Sequence, residues 1–285
     1  MTGALGSLGD LVEDVVVWLD EPLEIGTDAA GSIIRTRGGS AANVASAAAR
    51  LGRVTVRYLG CVGPDPAGDG LVSGLRAAGV DVCVQRRGRT GTILVLVEPG
   101  GERSMVPDRS AALLLETIDD AWLDGLAILH VPAYGFCGEP LSTTVLDALR
   151  RARERGIATS IDASSVGALR GYGRDRVRAL LADLAPDHLL ANADEADFLG
   201  VEEPGYLPYT TVVVKHGAQP TVAIVDGRRV EVPVTPVAEV RDTTGAGDAF
   251  AAGYLSAVID GADVQAACDA GNALAATALG CPGAL

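Results

Sequence analysis

"RDTTGAGDAFAAGYL", residues 241–255, decides how the rest of the chain is read. Two threonines, two glycines and two aspartates crowd into the seven residues Asp242–Asp248, and an apolar helix pattern follows at once. Glycine costs backbone entropy, and a helix start has no need of it. A Gly-Ala-Gly turn at that place exposes the free amides of Gly245, Ala246 and Gly247. Together with the positive end of the helix dipole they make an anion site, and small side chains let the anion reach the backbone. Asp248 is the odd choice, because a carboxylate repels a bound anion. It makes sense as a base that takes a proton from a hydroxyl while the amides hold charge developing on a phosphoryl group. Standing alone, the same aspartate also reads as an ordinary acidic residue near a helix N-terminus.

Around this stretch, strand-like and helix-like segments alternate. "DVVVWL" (Asp14–Leu19) and "SIIRTR" (Ser32–Arg37) are β-rich, and "SAANVASAAARLG" (Ser40–Gly52) is a helix stopped by glycine. "VTVRYLGCVG" reads as a strand and "GDGLVSGLRAAGV" as a helix. "TGTILVLVEPGGERSMV" reads as a hairpin turning at Pro99-Gly100-Gly101. From Leu126 onward strands and helices alternate regularly. A second hairpin turns at Asp226-Gly227, and two helices run from about Gly247 to Ile259 and from Asp263 to Leu279. This order, without a long linker, predicts one α/β unit with a mostly parallel sheet flanked by helices. The β-rich segments at about 14–37 and 90–107 fall outside the alternation and predict a small separate sheet.

The 285 residues suit a single domain of this class. Acidic residues outnumber basic ones, 37 to 23, for a formal charge of -14. Such a surface repels nucleic acid and anionic lipid, so neither is expected as a partner. The five cysteines include no C-x-x-C pair, and there are three histidines, which argues against zinc and a disulfide framework and for reduced thiols in a cytoplasmic protein. No run reaches the ~18 apolar residues of a membrane span, and "MTGALGSLGD" does not read as a signal peptide.

"DTTGAGDAFAAGYL" resembles the C-terminal signature of the ribokinase-like, PfkB-type carbohydrate kinases. Four further segments resemble family motifs in the family's order: "GDLVEDVVV" its first strand, "RGGSAANVASAAARLG" (Arg37–Gly52) its second signature, "NADE" (Asn192–Glu195) its N-x-x-E motif, and "VVVKHGA" its nucleotide loop. The resemblance implies a ribokinase-like three-layer sandwich, with a central mostly parallel sheet and a small β-sheet lid. It implies transfer of a phosphoryl group from ATP, with Mg²⁺, to a hydroxymethyl group of a sugar or nucleoside.

Residue by residue, it implies that Asp248 is the base and Gly245, Ala246 and Gly247 the anion hole. Asp14, five residues after Gly9, would bind sugar hydroxyls together with Gly38, Gly39 and Asn43. Asp10 is read as structural or peripheral. Asn192, Lys215, Gly217 and Asn272 would serve the nucleotide, and Glu195 the Mg²⁺ through water. Asp242 matches a monovalent-cation position, so K⁺ is a candidate activator. Arg103 lies where a hairpin tip reaches over a closed site. The lid also implies a homodimer, with Trp18, Ile33 and Ile34 serving either the lid core or that contact.

The chain departs from the family pattern in places. Pro220 replaces the second glycine of the nucleotide loop, removing a backbone donor. Ser40 stands where sugar-phosphate kinases of the group often carry lysine, which favours a small neutral sugar as acceptor. A nucleoside kinase and a non-catalytic sugar- or nucleotide-binding protein are the alternatives.

Overall fold

A computed structural model describes residues 3–203, 205–237, 240 and 242–280. The chain runs β1 (Ala4–Leu8), β2 (Val12–Leu19), β3 (Gly31–Gly38), α1 (Ser40–Leu51), β4 (Val56–Val62), α2 (Pro66–Ala77) and β5 (Asp81–Arg86). Then come β6 (Thr92–Val97), β7 (Arg103–Asp108), β8 (Leu126–Pro132), α3 (Leu141–Glu154), β9 (Ala158–Asp162), α4 (Val166–Tyr172) and α5 (Arg174–Leu184). The remainder is β10 (His188–Asn192), α6 (Ala193–Leu199), β11 (Thr211–His216), β12 (Gln219–Val225), β13 (Arg228–Val232), α7 (Ala246–Ile259) and α8 (Val264–Leu279).

Nine strands form one sheet in the order β13-β12-β11-β10-β9-β8-β1-β4-β5. It is parallel except at the β12 and β13 edge. Both faces are covered, so adjacent residues of one strand enter different cores. Ile128, Leu190 and Val213 pack with α1, α2, α7 and α8, whereas Leu129, Leu189, Val212 and Val214 pack with α3, α4, α5 and α6. That is why these strands read as unbroken apolar runs instead of alternating ones. Gly253, inside the opening stretch, serves packing: a Cβ there would lie 2.6 Å from the Ala270 carbonyl oxygen, so α7 and α8 approach closely only with glycine.

The remaining four strands form a second sheet, β3-β2-β6-β7. β2 pairs antiparallel with β3 and parallel with β6, and β6 forms the expected hairpin with β7. The first strand is not where "GDLVEDVVV" placed it. β1 is Ala4–Leu8, central in the large sheet, and Val12 onward belongs to the small one. "ALGSL" has too little β propensity to announce a strand, and its position between β8 and β4 makes it one. β5 and α4 also escaped the sequence reading: the first is an edge strand following directly on a helix, the second a short glycine-containing turn of helix.

Candidate active site

In open α/β sheets, ligands gather beyond the carboxyl ends of the strands. Here β9 ends in Asp162 and β10 in Asn192, and the parallel register sets Asn192 beside Lys215 of β11. A cavity of ≈ 690 Å³ opens there, walled by Asp162, Asn192, Glu195, Lys215, Gly217 and Asn272 and roofed by the first turn of α7, Gly245–Asp248. All the residues expected to serve the nucleotide therefore line one space.

Lys215 Nζ donates to Asp162 Oδ2 at 2.9 Å. Burial works against the ammonium charge, but Asp162, with Glu195 and Asp248 beyond it, outweighs burial and holds the lysine pKa above its ordinary value. A Cβ on Gly247 would be 3.6 Å from Nζ, so the charge sits against the turn. Asn192 and Glu195 close a reciprocal capping box on α6: Glu195 N–H donates to Asn192 Oδ1 at 2.9 Å, and Asn192 N–H donates to Glu195 Oε2 at 2.8 Å. Burial, followed by repulsion from Asp162, pushes the Glu195 carboxyl up to about 6. Asn272 Oδ1 accepts from Thr221 Oγ1 at 2.8 Å, while its buried Nδ2 has no partner among the described residues. Leaving such a donor unpaired costs about 1–3 kcal/mol, which an acceptor atom on a ligand would recover.

Pro220 stands apart from the cavity. The β11–β12 register slips between Val214↔Val222 and His216↔Gln219, and Pro220 falls within the slip, where a strand tolerates proline. It is exposed and outside the cavity wall, whereas Gly217 and Ala218 line it. The amides at the turn are also not equivalent. Ala246 N–H points to the Thr243 carbonyl at 3.3 Å, and Gly247 and Asp248 occupy the following first-turn positions, which have no partner within the helix.

Asp248 closes the cavity on its far side. Ser40 Oγ donates to its Oδ1 at 2.6 Å and Asn43 Nδ2 to its Oδ2 at 3.0 Å. Burial pushes the Asp248 carboxyl up to about 6; the Ser40 and Asn43 bonds restrain the rise, Asp162 adds to it and Lys215 opposes it. Behind Asn43, Arg37 Nε donates to Asn43 Oδ1 at 3.3 Å.

Asp14, on β2, lies against Gly38, while Gly39 faces the Asp10 and Leu11 backbone. A Cβ on Gly38 would fall 1.9 Å from Asp14 Oδ1, so the room made by that glycine is filled by the Asp14 carboxylate. Burial, then Asp10, pushes Asp14 up to about 7, with Arg37 opposing and Asp248 adding. Asp10, expected to be structural or peripheral, is structural: it belongs to the same acidic group. It is buried, and Arg109 Nη1 donates to its Oδ2 at 2.5 Å, the guanidinium lying 4.2 Å over the Tyr134 ring. Oδ1 of Asp10 and Oδ1 of Asp14 are both buried without a hydrogen-bond partner among the described residues.

Asp242 is buried just before the turn. Its carboxylate accepts the Thr244 N–H at 2.6 Å and pairs with Arg103 at 2.6 Å. Arg103, at the start of β7, also meets the Thr244 hydroxyl, so the small sheet's hairpin touches the anion-site loop. The carboxylate expected to face a monovalent cation is thus engaged by a guanidinium. Sequence reasoning missed Arg37, Arg109 and Asp162. Only Asp162 had a local signal, as the polar last residue of a buried parallel strand; the others become visible once β1, β3 and the 109 region are side by side.

These features define a ribokinase-like phosphotransferase, with a nucleotide-sized cavity and a polar, acidic pocket meeting at one carboxylate. Residues 7–285 match the pfkB family carbohydrate kinase profile, and the chain belongs to that family. It is 32% identical to the ATP-dependent ribose-1-phosphate kinase of Halopiger xanaduensis, over 98% of this chain and 92% of that one. It is 30% identical to a fructokinase of Klebsiella pneumoniae, over 90% and 84%. The adenosine kinase of Sinorhizobium meliloti shares the fold at a TM-score of 0.87 and 23% identity, covering 99% of this chain and 95% of that one. An ATP-bound fructokinase from Xylella fastidiosa does so at 0.82 and 24%, covering 100% and 94%. The chain is a carbohydrate kinase, taking a sugar as acceptor and ATP as donor. Among the described residues no helix is long and apolar enough to cross a membrane.

Proposed function

We propose that the chain forms one ribokinase-like domain that moves the γ-phosphoryl group of ATP onto a primary hydroxyl of a small neutral sugar. The observation that carries this reading is Asp248: a half-buried carboxylate at a helix N-terminus, held by both oxygens where the cavity meets the acceptor pocket. The sugar lies against Asp14, Gly38 and Gly39, where the unpartnered oxygens of Asp10 and Asp14 accept hydroxyl protons. Its hydroxyl gives a proton to Asp248, and the oxygen bonds to the γ-phosphorus. The bond from that phosphorus to the β–γ bridging oxygen breaks, its electron pair leaving on ADP. The Gly247 and Asp248 amides and the Lys215 ammonium face the charge that develops.

Mg²⁺ fits the donor set. Among the described residues no three metal-ligating side chains come together, and Mg²⁺ is a cation that keeps waters and binds through one or two carboxylates and the substrate phosphates. Glu195 and Asp162 are the carboxylates that would hold it through water, and it would neutralise phosphate charge. Arg103 on Asp242 supplies the positive charge that K⁺ would bring, so turnover in sodium is expected to match turnover in potassium. The small sheet acts as a lid that excludes water from the phosphoryl group. Its edge strands expose Ile33, Ile34, Met105 and Val106, which suits a homodimer through that sheet. The free cysteines suit a cytoplasmic enzyme.

A sugar that already bears a phosphate is a second reading, favoured by Arg109 and Arg37 beside the acceptor pocket and by the activity named for the Halopiger relative. ADP release across fructose, ribose, ribose 1-phosphate and nucleosides separates these readings. Asp248→Asn is expected to keep fold and substrate binding while kcat drops at least ~10²-fold. Near-normal turnover in that variant sinks the base assignment.

A further inference from the structure

Asp248 is held by two donors from one helix, α1, Ser40 lying 208 residues and Asn43 205 residues away along the chain. The two donors differ in kind. The Asn43 amide has no rotational choice, because its carbonyl oxygen already accepts from Arg37, so its NH₂ must face Asp248. Ser40 is a hydroxyl rotor at the first position of α1, half-buried, with its residue reaching the cavity wall. It makes the shorter of the two bonds, 2.6 Å against 3.0 Å, as expected for a hydroxyl donating to an ionised carboxylate. One donor on each oxygen fixes the carboxylate plane. A carboxylate has about four lone-pair sites, so about two remain for an incoming hydroxyl.

We propose that Ser40 is a positioning residue for phosphoryl transfer: with Asn43 on the opposite oxygen, its hydroxyl fixes the plane of the Asp248 carboxylate and leaves the remaining lone pairs to the acceptor hydroxyl. The assignment rests on Asp248 being the base, and it gives position 40 a role in this chain that does not involve the acceptor's own charge. A hydrogen bond to the ionised form favours that form, so Ser40 also keeps Asp248 able to accept a proton near neutral pH. The other groups that act on Asp248 come from separate elements: Asp14 on β2, Arg37 on β3, Tyr134 after β8, Asp162 on β9 and Lys215 on β11. None of them changes when Ser40 loses its hydroxyl.

The test compares wild type, Ser40→Ala and Ser40→Thr in two measurements. The first is a carbon-13 carboxyl NMR titration of Asp248 in the ligand-free protein, which needs no turnover. The second is kcat and KM against pH with the best acceptor and ATP. In Ser40→Ala the Asp248 titration is expected to move up by about one pH unit. The acid limb of kcat/KM should move with it, and kcat at pH 7 should fall about tenfold with the KM for ATP unchanged. Ser40→Thr, which keeps the hydroxyl, should return both readings to within about threefold of wild type. An unmoved titration in a Ser40→Ala protein with wild-type melting overturns the proposal. So does a raised acceptor KM with an unmoved acid limb, which makes Ser40 a substrate ligand instead. A wild type inactive toward every acceptor overturns the substrate reading, and the NMR titration still decides whether Ser40 holds Asp248.

Discussion

The two sheets use the same kind of residue in opposite ways. Val212, Val213 and Val214 of β11 are all buried, each against a helix layer. Ile33 and Ile34 of β3, no less apolar, are 66% and 51% exposed, and β7 leaves Met105 and Val106 exposed as well. Apolar burial contributes roughly 25 cal/mol per Å². The large sheet therefore carries the stability, while the small one is held by its strand pairing and a few polar contacts to the site. Yet the small sheet supplies Asp14, Arg37 and Arg103. The less buried sheet thus brings side chains to the site alongside Asp162, Asn192 and Lys215 of the large one.

The contrast breaks most visibly in the core. Leu190→Ala in β10, fully buried, is expected to lower unfolding free energy by about 2–5 kcal/mol in a urea titration. A loss below about 1 kcal/mol would mean that the large sheet is not where stability lies.

The pH dependence of stability should differ in sign between the sheets. His130, fully buried in β8, is pushed down to about 4 by burial, with Ser160 Oγ 3.0 Å from its Nδ1. Between pH 4 and 6.5 the unfolded chain binds a proton that the folded chain refuses, so stability falls as pH drops through that window, by on the order of 3 kcal/mol at its end. Asp14, raised from 3.8 to about 7, keeps a proton that the unfolded chain releases, so its contribution is lost as pH rises across that range. Urea midpoints from pH 4.5 to 8 should show the acid-side loss flatten in His130→Gln and the loss on raising pH shrink in Asp14→Asn. Unchanged slopes in both variants would remove these two groups from the account.

A smaller effect is expected at the contact between the sheets. Arg103→Ala removes the guanidinium from Asp242 and should lower kcat/KM about tenfold, with a melting temperature close to wild type. Equal loss of melting temperature and activity would make Arg103 a structural residue. The smallest effect belongs to the outer face of the small sheet. Ile33→Glu, measured dilute, should leave unfolding within about 0.5 kcal/mol of wild type. Sedimentation of the same variant should show the proposed dimer weakened, and an unaltered mass distribution would remove Ile33 from the proposed interface.

The sequence alone announced the turn at Gly245–Gly247, the helix behind it and the strand–helix alternation. Each is written in neighbouring residues: glycine at a helix start, runs of Val and Leu that fill a doubly covered strand, glycine stops. It also set Asn192 and Glu195 on a helix N-terminus, since a capping box is local by nature. What tertiary structure decided is the company each residue keeps. Asp10 joined the acidic pocket because β1 lies at the centre of the large sheet, and Pro220 is accommodated because the β11–β12 register slips where it stands. Ser40 and Asn43 reached Asp248 because α1 packs on α7. Hydrogen bonds span about 3 Å whatever the distance along the chain, so partners more than 200 residues apart appear only when the layers close.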